Sequence, residues 1–540
     1  MDPQANSQNQ PPAPSAEIAS DQIKNFLASY QAEKAYLQRQ ESTSVLQVSR
    51  AASTFALVYE RLRQAIDYQD ESVLRRKAIA RILFRKLTRS KDSAKIVAES
   101  LIKELAWARY IDISIPTEKV EEISRIVEKY VFLLQHNAYR QSKKLPDIRD
   151  WIVGVGATEI ERALVLPFVT DALALLMYKT LDFSEPIIGV DEATKSLQVY
   201  LTIQRALLHA DLPSLRYQML VSYHPEWVTN DTKTVETVNQ HFVELVETIE
   251  YHLHHPLTDR LFPLVRRQIG SYLILKEICD ARKRENLYDI LAVKESREES
   301  VRVMCAEKYG LTRAKITRAV VRSIIYLFIT KSLLALALEV PVERALTGKI
   351  HYIPLAVNIF FPPVLMAIVA LGIRVPGEKN TLKILDRINA LVEDKDGINT
   401  IKLRMPPTRK RGYVFYVAYL VMFSVSFGLA SYLLMRIDAT LFSAILFYFF
   451  TCLVSFFAYR IQNTAREYVV VDERGTLVSG LFDFLFFPFM RIGRWLSEGI
   501  SKINIFIFIF DFILEAPVKV IVGILEDWFS FIREKKDEIV

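Results

Sequence analysis

Residues 413–435 read YVFYVAYLVMFSVSFGLASYLLM, and residues 439–459 read ATLFSAILFYFFTCLVSFFAY. Neither stretch contains Asp, Glu, Lys or Arg, and each reaches the roughly 20 apolar residues that a helix needs to cross a bilayer. Residues 352–373 form a third stretch of this kind. Helices in the cores of soluble proteins seldom run so far without a charge, so the three stretches predict transmembrane helices.

A fourth apolar segment, residues 319–338, contains Arg322 and Lys331. Arg322 lies near the end of the segment, where its side chain can reach the interface. Lys331 lies deeper, at a cost of about 2.5–3.5 kcal/mol that the neighbouring aliphatic residues can offset. Two interpretations of Lys331 stay open. It is the partner of an anion or proton in a pathway, or it faces the helix bundle, paired with a carboxylate or extended to the interface.

Segment 352–373 contains Asn358 and the pair Pro362-Pro363. Proline is tolerated in a membrane helix when neighbouring groups satisfy the carbonyl oxygens that it leaves free. A kinked spanning helix is therefore predicted. The alternative is a re-entrant hairpin that turns at the two prolines.

The loop charges predict the orientation of the four segments. Residues 374–412 hold ten Lys or Arg, ending in Arg409, Lys410 and Arg411, whereas the preceding loop holds Arg344 and Lys349 only. Because basic loops stay in the cytoplasm, this alternation predicts a multi-pass membrane protein with both termini cytoplasmic. The formal net charge of +7 reflects these flanks, and a nucleic-acid partner is not expected.

The fold class predicted for the chain is all-α. Residues 1–16 are predicted to be a disordered tail, because they have too few apolar residues to form a core. Residues 17–318 are predicted to form a large, irregular, helical cytosolic domain, and residues 398–403 and 468–476 are weak candidates for a strand and a β turn. The predicted helices are 20–37, 45–68, 71–88, 93–110, 117–140, 157–181, 191–210, 231–254, 270–292 and 311–338.

Residues 460–540 are predicted to form cytosolic amphipathic helices. At 100° per residue, residues 480–502 and 504–537 each place a set of charged residues on one narrow stripe, with Trp495 and Trp528 on the mainly apolar remainder. Such helices lie in the membrane interface, where the two tryptophans would anchor them. Packing against the cytosolic domain is the alternative.

The basic run from Arg75 to Lys95 is the sharpest charge feature. Lys77, Arg81, Arg85 and Arg89 recur every four residues and therefore share one helix face. With Arg409, Lys410 and Arg411, they are candidate contacts for anionic lipid headgroups or for a cytosolic protein partner. The alternative is a solvated surface without a ligand.

Four histidines are weak candidates for metal ligands. His241, His252, His254 and His255 lie near one predicted helix that also carries Glu244, Glu247 and Glu250, but the spacing matches no zinc motif. The three cysteines are far apart in the sequence and include no C-x-x-C. We therefore expect no metal and no other cofactor.

No catalytic motif is found, and three functional hypotheses follow. The leading one is a non-enzymatic, membrane-tethered scaffold or interaction module, because much more of the chain faces the cytosol than crosses the bilayer. The second is a subunit of a transporter or channel, with Lys331, Asn358 and the Pro362-Pro363 break lining the path. Its four spans are few, so a homo-oligomer stays open. The third, a membrane-associated enzyme that is metal-dependent or acts on lipid, rests on the histidine group alone.

Overall fold

The structure, a computed structural model, describes the following residues of the 540-residue chain: 18, 20–40, 45–46, 71–89, 93–111, 115–137, 146–183, 189–283, 285–373, 375–394, 401–402, 413–465, 468–470 and 477–502. This part of the chain is almost entirely helical, which confirms the all-α prediction. It divides into two compact units. The N-terminal unit comprises the described residues of 20–266 with 401–402, and the membrane unit comprises those of 267–394 and 413–502 with Ile18.

The N-terminal unit begins its helices where polar side chains can cap them. Asp147, Asp191, Asp211 and Asp231 each accept a hydrogen bond from a backbone N–H in the first turn of the helix that follows. The helices are α1 (Asp21–Gln40), α2 (Glu71–Arg89), α3 (Ala94–Trp107), α4 (Thr117–Asn137), α5 (Ile148–Leu164), α6 (Phe168–Thr180), α7 (Glu192–Leu207), α8 (Leu212–Tyr223), α9 (Thr232–Gln240), α10 (Phe242–Leu253) and α11 (Leu257–Arg266).

Helix α5 lies at the centre of the N-terminal unit, where α2, α4 and α8 pack around it. Its close approach to α4 needs a glycine, because a Cβ atom on Gly156 would lie 2.9 Å from the ring of Tyr130. The predicted helix 157–181 is wrong in its bounds. The chain is already helical from Ile148, and it leaves the helix around Pro167, which cannot donate a backbone hydrogen bond.

Three other predicted helices also differ from the structure. The prediction for 231–254 is interrupted at His241, and that for 270–292 is interrupted between Ala281 and Leu287. The predicted helix 45–68 is wrong at its start, where β1 (Val45–Leu46) pairs antiparallel with β2 (Ile115–Pro116), and its residues 47–68 lie outside the described part. Within the predicted strand 398–403, β4 (Ile401–Lys402) pairs in parallel with β3 (Leu181–Asp182).

The membrane unit contains four helices that are long and apolar enough to cross a bilayer, at the four predicted positions. Its helices are α12 (Ile269–Ala281), α13 (Leu287–Ala292), α14 (Lys294–Leu334), α15 (Val340–Thr347), α16 (Tyr352–Leu371), α17 (Glu378–Glu393), α18 (Tyr413–Arg436), α19 (Leu441–Ala465) and α20 (Leu477–Lys502). Helix α16 continues through both prolines, so the re-entrant hairpin at that point is not formed.

Helices α14, α16 and α19 pack against one another, with a core that includes Val320, Met366 and Val454. Large apolar side chains such as Ile329 and Leu333 point away from this core and are exposed, as lipid-facing residues should be. The bundle therefore has an apolar exterior, which makes polar groups in its interior conspicuous.

The basic loop predicted at 374–412 contains a helix, α17, which packs on α12 and α14. Buried Arg297 joins α14 to α17, since its Nε donates to the side chain of Asn389 at 2.7 Å and its guanidinium also pairs with Glu393. On the same helix, Asn380 hydrogen-bonds to Tyr468 O and accepts from Val470 N. The chain that follows α19 is thereby fixed to the loop helix. Residues 468–470 form no strand, and 471–476 lie outside the described part.

Candidate functional site

The candidate site begins where the first membrane helix changes its hydrogen bonding. Residues Ala335–Glu339 form a π-turn between α14 and α15, in which Val340 N donates to Ala335 O, five residues earlier. Pro341 follows at once and has no N–H to donate to the turn before it, so the regular pattern cannot continue there. Such π-turns are frequent at functional sites. This one ends on a carboxylate, that of Glu339.

Glu339 is buried, with 1% of its surface exposed, and one of its oxygens is held by two neighbouring helices. The Asn358 side-chain amide on α16 donates to Glu339 Oε1, and Ser443 Oγ on α19 donates to the same oxygen at 2.8 Å. Asn358 Nδ2 also lies 2.7 Å from Ser443 Oγ and 3.0 Å from Ser443 O. Three membrane helices therefore meet at this carboxylate.

The prolines of α16 add a backbone acceptor to the same place. Pro362 lies four residues after Asn358 and has no N–H, so the Asn358 carbonyl loses its helical partner. Freed backbone carbonyls beside a break in a membrane helix commonly contribute to ion and substrate sites. The chain thus passes through the two prolines without a turn, and the Asn358 carbonyl lacks the donor that residue 362 would otherwise supply.

Lys331 lies on the same interior face, and 1% of its surface is exposed. Its Nζ is 4.1 Å from the centre of the Phe450 ring, a cation–π distance, and it interacts electrostatically with Glu339. Within the described chain, Nζ has no hydrogen-bond partner and forms no contact ion pair. The expected pairing of this lysine with a carboxylate is therefore present at longer range only.

Three polar atoms of this group have no hydrogen-bond partner among the described residues: Lys331 Nζ, Glu339 Oε2 and Asn358 Oδ1. One is a donor and two are acceptors. A charged group left unpaired in an apolar interior costs several kcal/mol, which a purely structural arrangement has no reason to retain. Intramembrane ionisable residues of this kind usually belong to ion or substrate pathways. We name Lys331, Glu339, Asn358 and Ser443 the intramembrane polar group.

Helix geometry gives the depth of the group. At 1.5 Å per residue, Ser443 lies about 3 Å and Asn358 about 9 Å from the first residues of α19 and α16. Phe450, which contacts Lys331, lies about 14 Å along α19, close to the middle of a hydrocarbon core of about 30 Å. The group thus extends from one rim of the bundle to its middle.

The N-terminal unit offers a contrast, because its buried carboxylate is fully paired. Glu159 Oε1 accepts from Lys129 Nζ at 2.5 Å, and Oε2 accepts from Tyr130 Oη at 2.6 Å and from Trp227 Nε1 at 2.9 Å. Burial lowers the pKa of Lys129, and the Glu159 charge acts in the opposite direction. With every partner supplied by the protein, this network is structural.

The predicted basic stripe is only partly available for a ligand. Arg85 forms an ion pair with Glu104 at 2.6 Å, Arg81 is half-buried and Lys77 is exposed. Two other arginines of the run are drawn inward: Arg75 interacts with Glu161, and Arg76 with both Glu161 and Asp211. The structure does not describe the side chain of Arg89, nor residues Arg409, Lys410 and Arg411. A lipid or protein contact through this stripe stays a prediction.

The histidines do not assemble a metal site. No three His, Cys, Asp or Glu side chains converge on a metal position among the residues that the structure describes. His241 and His254 each bond a backbone carbonyl of the preceding turn, His255 accepts from Leu257 N, and His252 lies half-buried with its pKa lowered by burial. The nearby Glu250 carboxylate accepts from Trp151 and Arg216 through Oε1, and its Oε2 lies 3.8 Å from His254 Nδ1.

The remaining predicted positions are peripheral to the intramembrane polar group. Arg322 is exposed on α14, and Trp495 is 72% exposed on α20. Helix α20 packs along α19, so closely that a Cβ atom on Gly493 would lie 2.0 Å from Cys452 O. Its location in the membrane interface stays a prediction, as does that of Trp528, which lies outside the described residues.

Two components of the site, Glu339 and Ser443, are absent from the sequence prediction. Glu339 directly follows the predicted segment 319–338, whereas the helical chain continues to Thr347. A signal was present, because a carboxylate between an apolar run and a proline is unusual. Ser443 carries no such signal, since membrane helices commonly contain serine.

Comparison of the chain with protein-family models, curated proteins and solved structures gives no match. The functional argument therefore rests on the geometry of the intramembrane polar group.

Proposed function

We propose that this protein is a transporter or channel subunit that moves an ion or small polar solute, with the intramembrane polar group as its binding site. The observation that carries the proposal is the set of unpaired polar atoms on Lys331, Glu339 and Asn358, buried between three membrane helices. A ligand with both donor and acceptor character could satisfy them. Four spans make a small pathway, and α18 is exposed along most of its length, so the proposal includes a homo-oligomer.

Cysteine accessibility tests whether water reaches the group. In a variant without Cys279, Cys305 and Cys452, we would introduce Glu339→Cys or Asn358→Cys and treat proteoliposomes with a membrane-impermeant sulfonate thiosulfonate. Ile329→Cys and Phe360→Cys are matched controls, because both side chains are exposed on the apolar exterior of the same helices. Labelling at 339 and 358, with none at 329 and 360, is the expected result.

A flux measurement tests transport itself. Proteoliposomes would carry entrapped indicators for protons, Na⁺, K⁺ and Cl⁻, and Lys331→Ala is expected to abolish whichever flux the wild-type protein supports. Absence of every flux, together with unlabelled cysteines at 339 and 358, would show that the group is sealed and that transport is the wrong function.

The orientation is part of the proposal. The ten basic residues of 374–412 support a cytoplasmic position for that loop, which puts both termini in the cytoplasm and the hairpin between α15 and α16 on the opposite side. Labelling of Lys349→Cys from outside intact cells, with protection of an N-terminal cysteine, is the expected pattern. The reverse pattern would contradict the orientation.

The second candidate is the membrane-tethered scaffold or interaction module. The observation that favours it is the N-terminal unit, which has its own extensive core and accounts for about half of the chain. A photo-crosslinking amino acid at position 77, compared with one at exposed position 118, tests this candidate in native membranes. A single adduct of defined mass, specific to position 77, is expected. Equal, diffuse crosslinking at both positions would count against a scaffold that uses the basic stripe.

A further inference from the structure

A second ionisable pair lies next to the intramembrane polar group. His351 Nδ1 is 2.8 Å from Glu343 Oε1, at the hairpin between α15 and α16. The Glu343 side chain is 2% exposed and the His351 side chain 33% exposed, so the histidine meets the surface and the carboxylate does not. Glu343 is four residues from Glu339, a spacing that puts the two carboxylates on one helix face.

Together these residues form a line from the rim to the middle of the bundle. Lys331, Ala335, Glu339 and Glu343 are spaced four residues apart and are all buried, so one face of the helical chain carries them inward. At 1.5 Å per residue, Glu343 and Lys331 are about 18 Å apart along the chain, more than half of the hydrocarbon thickness. Ionisable groups are rare in membrane helices because burying them is costly, so three of them on one buried face require an explanation.

We propose that His351, Glu343, Glu339 and Lys331 form a proton access path, and hence that the ion handled by the proposed transporter is H⁺. The inference rests on the proposed function. Entry begins when His351 takes up a proton at Nε2 and releases the proton on Nδ1 to the Glu343 carboxylate. The neutral Glu343 acid then passes its proton to Glu339 Oε2, the oxygen that has no hydrogen-bond partner in the described chain.

The final step ends at Lys331. A neutral Lys331 amine accepts the proton from the Glu339 acid, which yields an ammonium and a carboxylate that attract each other. Lys331 and Glu339 are not in direct contact, so a water molecule between them completes the step. The Asn358 amide and the Ser443 hydroxyl hold Glu339 Oε1 throughout, which keeps Oε2 available for exchange.

Few other charges act on this line. Residues 352–371 of α16 and 441–459 of α19, which pack beside it, contain no Asp, Glu, Lys, Arg or His. Their titratable side chains are Tyr352, which is exposed, Tyr448, which bonds Ser431, the exposed Tyr459 and Cys452. Arg344 and Lys349, near the hairpin, are exposed to solvent. Among the described residues 352–371 and 441–459, the titratable groups beside the line are thus three tyrosines and the buried Cys452 thiol.

Infrared spectroscopy of the full chain in nanodiscs tests the path. The C=O stretch of a protonated carboxylic acid shifts when its proton is replaced by deuterium, and Glu339→Gln assigns the band of Glu339. After a change from H₂O to D₂O, His351→Gln is expected to slow deuteration of Glu339 at least about tenfold, because the amide keeps the hydrogen bond to Glu343 but relays no proton. Tyr352→Phe, the neighbouring exposed residue, should leave the rate unchanged.

The outcomes separate the path from the proposed function. Unchanged deuteration of Glu339 in His351→Gln would overturn this route, and so would a Glu339 that stays ionised or unexchanged at every pH. Sulfonate labelling at position 339 measures water access without reference to protons. Labelling there together with a negative infrared result would therefore refute the proton path and leave transport of another ion standing.

Discussion

The side-chain amide of Asn358 donates a hydrogen bond to the carboxylate of Glu339, and both groups are buried where three membrane helices meet. The bond fixes one oxygen of the carboxylate and leaves the other without a partner among the described residues. A residue that only stabilised helix packing would be expected to have both oxygens satisfied, as Glu159 has in the N-terminal unit. Glu159 is thus fully paired, whereas Glu339 keeps one oxygen without a partner among the described residues, and the proposed function depends on that oxygen.

Asn358→Leu is expected to destabilise the membrane unit by about 1–3 kcal/mol, because it removes a donor from a buried carboxylate. The proton flux of proteoliposomes should fall with it, since Glu339 would no longer be oriented. Thermal unfolding in detergent measures the first effect and an entrapped pH indicator the second. Phe360→Leu, a lipid-facing change on the same helix, is the control. If the Asn358→Leu protein is as stable and as active as this control, Asn358 is not part of the site.

Lys331→Met should have the opposite effect on stability. Methionine has a similar length and no charge, so the substitution removes the cost of burying an ammonium that has no hydrogen-bond partner in the described chain. We expect a melting temperature at or above that of the wild type, together with loss of flux. Leu333→Met, two residues away on the exterior, should alter neither. If Lys331→Met unfolds the protein, the lysine is structural and its place in the pathway is wrong.

The four membrane segments could be predicted because the apolar run is itself the signal, and the hydrocarbon core sets its length. The site could be predicted only in part. Lys331 and Asn358 stand out as polar residues within such runs, whereas Glu339 lies one residue beyond the predicted segment 319–338. The hydrogen bonds among Glu339, Asn358 and Ser443 depend on tertiary packing between helices, which no local pattern encodes.

In the N-terminal unit, the sequence predicts that most helices form, but it does not predict where several of them are interrupted. The caps at Asp191 and Asp231 match the predicted starts, because an aspartate before an apolar helix is a local signal. Gly154 and Gly156 precede the predicted helix 157–181, whereas in the structure both lie inside α5, and Gly156 lets Tyr130 approach. Gly156 is needed because α4 packs closely against α5 at this point, and the sequence around Gly156 does not show that contact.

Glu159→Gln tests the buried network of the N-terminal unit. The substitution preserves shape but leaves the Lys129 ammonium buried without a counter-charge, so we expect a loss of about 3–5 kcal/mol in the free energy of unfolding. Denaturant titration followed by the fluorescence of Trp227, which is within hydrogen-bonding distance of Glu159, measures it. Exposed Glu118→Gln is the control, and equal stability of the two variants would contradict the pairing.

The same variant should show a characteristic pH dependence. Burial lowers the pKa of Lys129 below the ordinary lysine value of 10.5, and Glu159 counteracts that shift. Without Glu159 the folded state binds the Lys129 proton less tightly than the unfolded state does. Unfolding free energy must then rise with pH through the window below 10.5, where the unfolded chain carries more protons. Partial recovery of Glu159→Gln between neutral and alkaline pH is the expected result, and the rise should be smaller in Glu118→Gln, where Glu159 still offsets part of the pKa shift.

Cys279 should react slowly with alkylating reagents in the folded protein. Burial raises the pKa of its thiol to about 12, so the reactive thiolate is scarce near neutral pH. Compared with a free thiol of pKa about 8.5, the rate at pH 8 should fall about a thousandfold or more. Mass spectrometry after iodoacetamide treatment measures it, with Glu285→Cys as an exposed control nearby. Rapid alkylation of Cys279 without denaturant would contradict its burial.

Gly493→Leu tests the packing of α20 along α19. Even a Cβ atom at this position would lie 2.0 Å from Cys452 O and 2.9 Å from Phe456 Cβ, so the two helices must separate to accept a larger residue. Overpacking of this kind costs about 1–3 kcal/mol or more, and the melting temperature in detergent should fall accordingly. Gly480→Leu is the matched control on the same helix, because a Cβ atom there meets nothing within 4 Å. If the two variants have the same melting temperature, α20 does not pack against α19. Its amphipathic face is then available to the membrane interface, as the sequence predicts.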